Sequence, residues 1–304
     1  MSMITSAFSK SVYPAPFTSW IGLGYELYPD MVARMGFEIK SSSQSIEEVT
    51  VLSGLGTMAR TAEAEATLFD DMAQGLTKQY AHAEYRLGFI VSQTLIEDGK
   101  GLNVVQEGAK QLGIAYNETR NLIAANIWNT AFASTNLSAD GATLISNSHP
   151  TSVGNMSNIL STNATLSEAS IEQARIDLKS IKNDRGIRQQ IRLMKLIVPA
   201  ALEFEAARLL GTEKRVGGAD NDISAIHKIG VVKDGYEVVD YLTDSNAYFY
   251  TTNVSSNGLV FYDRKKLTLS DDTQFSTDNA MFKSHARMTA GCGEFRHVFG
   301  SQGL

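Results

Sequence analysis

With 304 residues, 43% of them hydrophobic and 20% charged, the chain is long enough to bury a core and too apolar to be disordered. A formal net charge of −6 and a pI near 5.5 argue against sequence-specific DNA binding, which relies on a cationic surplus. The one cysteine, Cys292, allows no internal disulfide, and no apolar run approaches the length of a membrane helix or a signal peptide.

Residues 1 to about 40 show little periodicity and carry Pro14, Pro16 and Pro29. Phe17, Trp20, Ile21, Leu23, Tyr25, Leu27 and Tyr28 crowd into this irregular arm, and apolar groups of that size must bury on another chain or on their own subunit. Ile46–Leu52 and Lys78–Leu87 read as strands by alternation. The long glycine- and alanine-rich stretch between them has no core pattern, so the pair is expected to be a projecting hairpin. Residues 102–132 carry the longest helical signal. Leu102, Val105, Ala109, Leu112, Tyr116, Ile123 and Ile127 recur at helical spacing, over a length of roughly 46 Å. Gly108 and Gly113 each cost about 1 kcal/mol relative to alanine there, which leaves open a kink at Gly113 or a second helix starting at Asn117.

A helix over 166–182 follows, with Thr165 and Glu168 as a capping box and Ile171, Ala174, Leu178 and Ile181 on one face. Asp184-Arg185-Gly186 is a turn. Ile191–Val198 is apolar enough for a central strand, and Pro199 suits the first turn of a helix that ends at Gly211. Short strands are then expected at Ile226–Val232, Tyr236–Leu242, Ala247–Thr252, Leu259–Tyr262 and Met281–Met288. Strands and helices are segregated rather than alternating, so the class is α+β.

Sites for chemistry are scarce. Gly54-Leu-Gly56-Thr-Met-Ala59 after an apparent strand fits a dinucleotide-binding turn, but Glu47 and Glu48 make a poor first strand and no second βα unit follows. A cytoplasmic nucleotide-binding enzyme using the Gly54–Gly56 turn is therefore a minor alternative. His149 reads as a structural loop histidine, and the five histidines form no metal-ligand pair. Cys292 sits between two glycines with no evident base. No catalytic, cofactor-binding or metal-binding residue is assigned, and the chain reads as a non-enzyme.

Four segments carry a resemblance: Asp140–Pro150, Leu196–Ala206, Asp240–Phe249 and Gly293–Ser301. In this order and spacing they resemble the major capsid proteins of tailed bacteriophages, in particular the Mu-like major head subunit group. The resemblance covers residues 135 to 301 well and the N-terminal third by general layout. It implies a Hong Kong 97-type capsid fold: an N-terminal arm over 1–40, an extended E-loop hairpin over 41–82, a P-domain over 83–154 with its spine helix at 102–132, an A-domain over 155–254, and P-domain return strands over 255–304.

The function implied is self-assembly as hexamers and pentamers into an icosahedral head shell enclosing double-stranded DNA. Assembly would take place in the host bacterial cytoplasm and end in a virion capsid. A portal protein, packaged DNA bound without sequence specificity and a separate scaffolding protein are the implied partners; no membrane and no cofactor are. An encapsulin-like nanocompartment shell is the chief alternative.

Charge is segregated. Residues 45–76 hold six acids against Arg60, whereas residues 175–195 hold seven cations against Asp177 and Asp184. Phe17 and Trp20 on the arm, Glu63 and Glu65 on the hairpin, and Arg185 and Arg188 on the basic segment are the candidate inter-subunit contacts.

Overall fold

A computed structural model describes residues 14–67, 69–72, 74–98, 101–214, 223–254 and 257–304, with the side chains of 14–18 and Leu102 outside the description. The first element is a helix, α1 (Pro14–Leu27), where the sequence suggests an irregular arm. Its apolar residues face two ways, which hides a single-stripe period. Ile21 is buried, with Trp20 and Tyr25 packed beside it, while Leu23, Leu27 and Tyr28 are exposed. The chain beyond it stays in the subunit's own core through Val32, Met35 and Phe37.

β1 (Glu38–Ser41) is followed by a two-stranded hairpin, β2 (Ile46–Leu52) with β3 (Gln74–Ala81). The expected strand over 78–87 is divided at His82, and β4 (Ala83–Val91) joins another sheet. After a short α2 (Gln93–Glu97), α3 (Gly101–Asn129) runs 29 residues unbroken, about 43 Å. Its glycines are contact positions. A Cβ at Gly108 would lie 2.6 Å from the Phe89 ring, and one at Gly113 would lie 2.6 Å from the Ile21 carbonyl of α1.

A small hairpin, β5 (His149–Thr151) and β6 (Gly154–Met156), precedes α4 (Glu168–Ser180). The reciprocal cap of α4 is Ser167 with Ser170, two residues later than Thr165 with Glu168. β7 (Leu193–Val198), a 3-10 turn after Pro199 and α5 (Glu203–Gly211) match expectation closely. Ile226–Val232 is not a strand. Ser224 accepts from the His227 amide and Gly230 turns left-handed at φ 61°, so Ala225–Ile229 closes as α6. The remaining strands are β8 (Tyr236–Val238), β9 (Tyr248–Thr252), β10 (Leu259–Thr273), β11 (Ala280–Cys292) and β12 (Val298–Ser301).

Two four-stranded sheets organise the α+β fold. One has the order β1-β10-β11-β4 and carries α3 against β4 and β11; the other has the order β12-β9-β7-β8. β7 is interior, as its apolar run demands. β12 returns to this second sheet, so the C-terminal strands expected over 255–304 do not all lie with the first. Trp128, Phe249 and Phe261 fill the core between the sheets, and Leu178, Leu196, Tyr250 and Phe299 fill the core of the second.

Candidate assembly interface

Three buried polar networks set the frame that presents the surface. Arg120 of α3 reaches Asp30 at 2.9 Å and Asp263 of β10, and its guanidinium lies 4.5 Å from the Phe261 ring centroid. Arg296 joins Glu294 and Asp184, each at 2.7 Å. Burial pushes the Glu294 carboxyl upward against the pull of that arginine. His149 meets Asp140 at 2.6 Å through Nδ1 and Asn158 at 3.0 Å through Nε2, and stacks on Phe295. Asn158 donates in turn to the carbonyls of Leu144, Phe295 and Val298. Both ring nitrogens are engaged, so the histidine ties a loop to the second sheet.

The rival chemistry finds no support at its own residues. After Gly56 the chain runs on without a helix, and the Gly56 amide donates to the Asp70 carboxylate at 2.8 Å, where a pyrophosphate would need it. Cys292 is fully buried, and burial pushes its thiol up to about 12, far from a reactive thiolate. Among the described residues no three His, Cys, Asp or Glu side chains gather for a metal, and no helix is long and apolar enough to cross a membrane.

The hairpin is the most conspicuous outward feature. Its root is fixed to the body: Val49 and Tyr80 pack with Val260 and Tyr262, Asn257 donates to the Thr50 carbonyl at 2.8 Å, and Lys78 donates to the Cys292 carbonyl at 3.2 Å. Its tip is a different surface. Met58 is 101% and Phe69 95% exposed, and Leu55 and Met72 on the same loop are exposed as well. Large apolar side chains clustered in water mark a contact surface.

Arg185 reaches this tip from the turn before β7, donating to Asp70 at 3.1 Å, to the Gly54 carbonyl at 3.2 Å and to the Asp71 carbonyl. The Gly56 amide, with help from Arg185, holds the Asp70 carboxyl below its usual range.

The six expected contact residues therefore fall in different settings. Arg185 meets the acidic hairpin of its own chain. Glu63 and Glu65 are exposed on the tip, with Glu65 accepting from the Ala62 amide at 2.7 Å. Arg188 is exposed three residues beyond Arg185, and among the described residues it makes no ion pair with Glu63 or Glu65. Trp20 packs on its own subunit, one of the two settings open to the arm's apolar groups, and Phe17 lies in α1 with its side chain outside the described residues. Sequence reasoning missed Arg120, Arg296 and Asn158, whose partners are brought together only by the fold.

The chain matches the family model for phage capsid protein over residues 75–300. Its structure is similar to that of a virus-like particle from Pyrococcus furiosus, at 11% identity and TM-score 0.53 over 95% of this chain and 99% of the other. It is similar also to the capsid of Ralstonia phage GP4, at 11% identity and TM-score 0.56 over 87% and 85%. The capsid of Myoviridae phage XM1 aligns at 10% identity and TM-score 0.53 over 91% and 92%. No curated protein sequence matches it.

Proposed function

The chain belongs to the phage capsid protein family, and from that premise we propose that it assembles as hexamers and pentamers into an icosahedral head shell around double-stranded DNA. The observation that carries the assembly step is the hairpin tip, where Leu55, Met58, Phe69 and Met72 stand in water on a loop whose root is rigidly fixed. Fully burying one such side chain is worth about 1.5–3 kcal/mol, so covering the tip by a neighbouring subunit drives association. The exposed face of α1, with Leu23 and Leu27, and Tyr28 just after it supply a second apolar strip on the arm.

The polar contacts proposed between subunits come from Glu63 and Glu65 on the hairpin tip; Arg188 stands apart from them, on the wall of a cleft. Arg185 holds the hairpin tip at the angle from which it reaches. Phe17 and Trp20 contribute through α1, Trp20 mostly by placing that helix. A scaffolding protein and a portal protein complete the head, assembled in the host bacterial cytoplasm.

Co-expression with its scaffolding partner, followed by electron microscopy, tests this reading. Closed icosahedral particles are expected. A chain that stays monomeric or dimeric with that partner present would overturn it. A shell of encapsulin type shares this architecture, and its particles would enclose protein rather than nucleic acid, which the absorbance ratio of purified particles distinguishes.

A further inference from the structure

A cleft of about 730 Å³ opens in the second sheet's layer, with no hairpin residue in its lining. Its walls come from three separate stretches. α4 contributes Arg175 and Lys179, the segment leading into β7 contributes Arg188 and Arg192, and the turn after α6 contributes Lys233. Ile191 and Leu178 form part of its floor. No carboxylate lines it: Asp177 faces Gln173 on α4, and Asp234 lies outside the wall. Among the described residues none of the five cations makes an ion pair.

Five like charges around one cleft repel one another, and in a chain whose net charge is −6 this concentration is a local exception. A counter-charge relieves it. The acidic hairpin of a second copy is one source, but half of its acids are engaged. Glu47 faces Ser42 and His82, Glu48 takes the Gln79 amide and Asp70 takes Arg185. Glu63, Glu65 and Asp71 remain, three carboxylates for five cations. A phosphate backbone carries a charge at every nucleotide and meets all five.

We infer that this cleft is a sequence-independent binding site for the phosphate backbone of nucleic acid. The inference deepens the proposed shell function by assigning the surface that meets the packaged polymer. Gln189 and Gln190 also line the cleft, but its five cations outnumber them, so binding is set chiefly by charge and varies little with sequence.

The test uses the full chain and a labelled mixed-sequence duplex of about 20 base pairs, read by fluorescence anisotropy as salt is raised. Five phosphate contacts give a slope of log affinity against log salt of about −4.5, or roughly a 500-fold loss between about 50 and 200 mM. The variant Arg188→Gln/Arg192→Gln/Lys233→Gln is expected to reduce that slope to about −1.8. A control variant, Arg60→Gln/Lys266→Gln/Lys283→Gln, removes the same charge from exposed positions outside the cleft and should keep the wild-type slope. Circular dichroism confirms that both variants are folded.

Equal losses in the two variants, or no duplex binding at low salt, overturn the inference. So does an acidic peptide spanning residues 53–72 that binds the cleft while duplex does not, which would assign it to a neighbouring subunit's hairpin. Electron microscopy of the same variants separates this from the shell reading. Shells that form without measurable duplex binding sink the cleft alone, and duplex binding without shells sinks the shell alone.

Discussion

At the scale of single residues, the largest effects are at buried charges. Arg120 is buried between Asp30 and Asp263, and Asp263 is itself buried. Arg120→Met fills similar space but leaves the Asp263 carboxylate in the interior without its cation. Breaking a buried pair this way costs about 3–5 kcal/mol, and urea unfolding should show a loss of that order. Asp140 gives a pH signature. Burial works to raise its carboxyl, but the hydrogen bond from His149 and the Ala142 amide prevail and hold it below the ordinary value. Its folded pKa is thus lower than its unfolded one. The stability it contributes is fully present above the unfolded carboxylate value of about 3.9 and is lost as pH falls through the lower folded value. The midpoint of acid unfolding should therefore rise in Asp140→Asn, and the variant's stability should change less below about pH 4. Gly108 separates two opposed effects. Helix propensity alone makes Gly108→Ala stabilising by about 1 kcal/mol. The added Cβ, however, would press on the Phe89 ring, which is stacked on Phe282 at 5.0 Å and has little room to yield. Overpacking of this kind costs about 1–3 kcal/mol, so a net loss is expected in thermal melts. None of these partners was legible in the sequence, because Arg120 is 90 residues from Asp30 and 143 from Asp263.

At the scale of elements, legibility followed the length and one-sidedness of the apolar pattern. α3 was readable because a single stripe persists through 29 residues, and β7 because an apolar run before Pro199 suits an interior strand. α6 was misread because a short apolar run such as Ile226–Val232 fits strand and helix alike, and the cap at Ser224 decides it. α1 was hidden because Gly22 and Gly24 interrupt a stripe that is already divided between a buried and an exposed face. Its close crossing with α3 at Gly24 and Gly113 changes what truncation should do. As an independent arm, residues 1–30 could be removed without harm to the fold. In the structure their loss strips Trp20, Ile21 and Tyr25 from Val105, Leu112 and Phe282. Deleting residues 1–30 should therefore lower the urea midpoint of the isolated subunit, and an unchanged midpoint would restore the independent-arm view.

At the scale of the whole molecule, the charge segregation visible in the sequence resolves into two surfaces with different work. Arg185 spends its charge within the subunit, on the hairpin tip at Asp70. Arg188 and its neighbours line the open cleft, while Glu63 and Glu65 stand on the hairpin tip beside Met58 and Phe69. The apolar side chains of the tip can supply affinity, but they are indifferent to direction. The acidic pair gives the tip an orientation as it approaches a neighbour, and electrostatics of this kind act on encounter more than on final strength. Each exposed pair is worth only about 0–1 kcal/mol, yet a shell repeats the contact at every subunit. Glu63→Lys with Glu65→Lys leaves the Arg185 contact and the hairpin root intact, because neither residue takes part in them. The double variant should assemble more slowly than the parent at low salt, followed by light scattering. The difference should vanish near 1 M salt, where the Debye length falls to about 3 Å. If its low-salt rate equals the parent's, the acidic pair has no part in docking and the apolar tip acts alone.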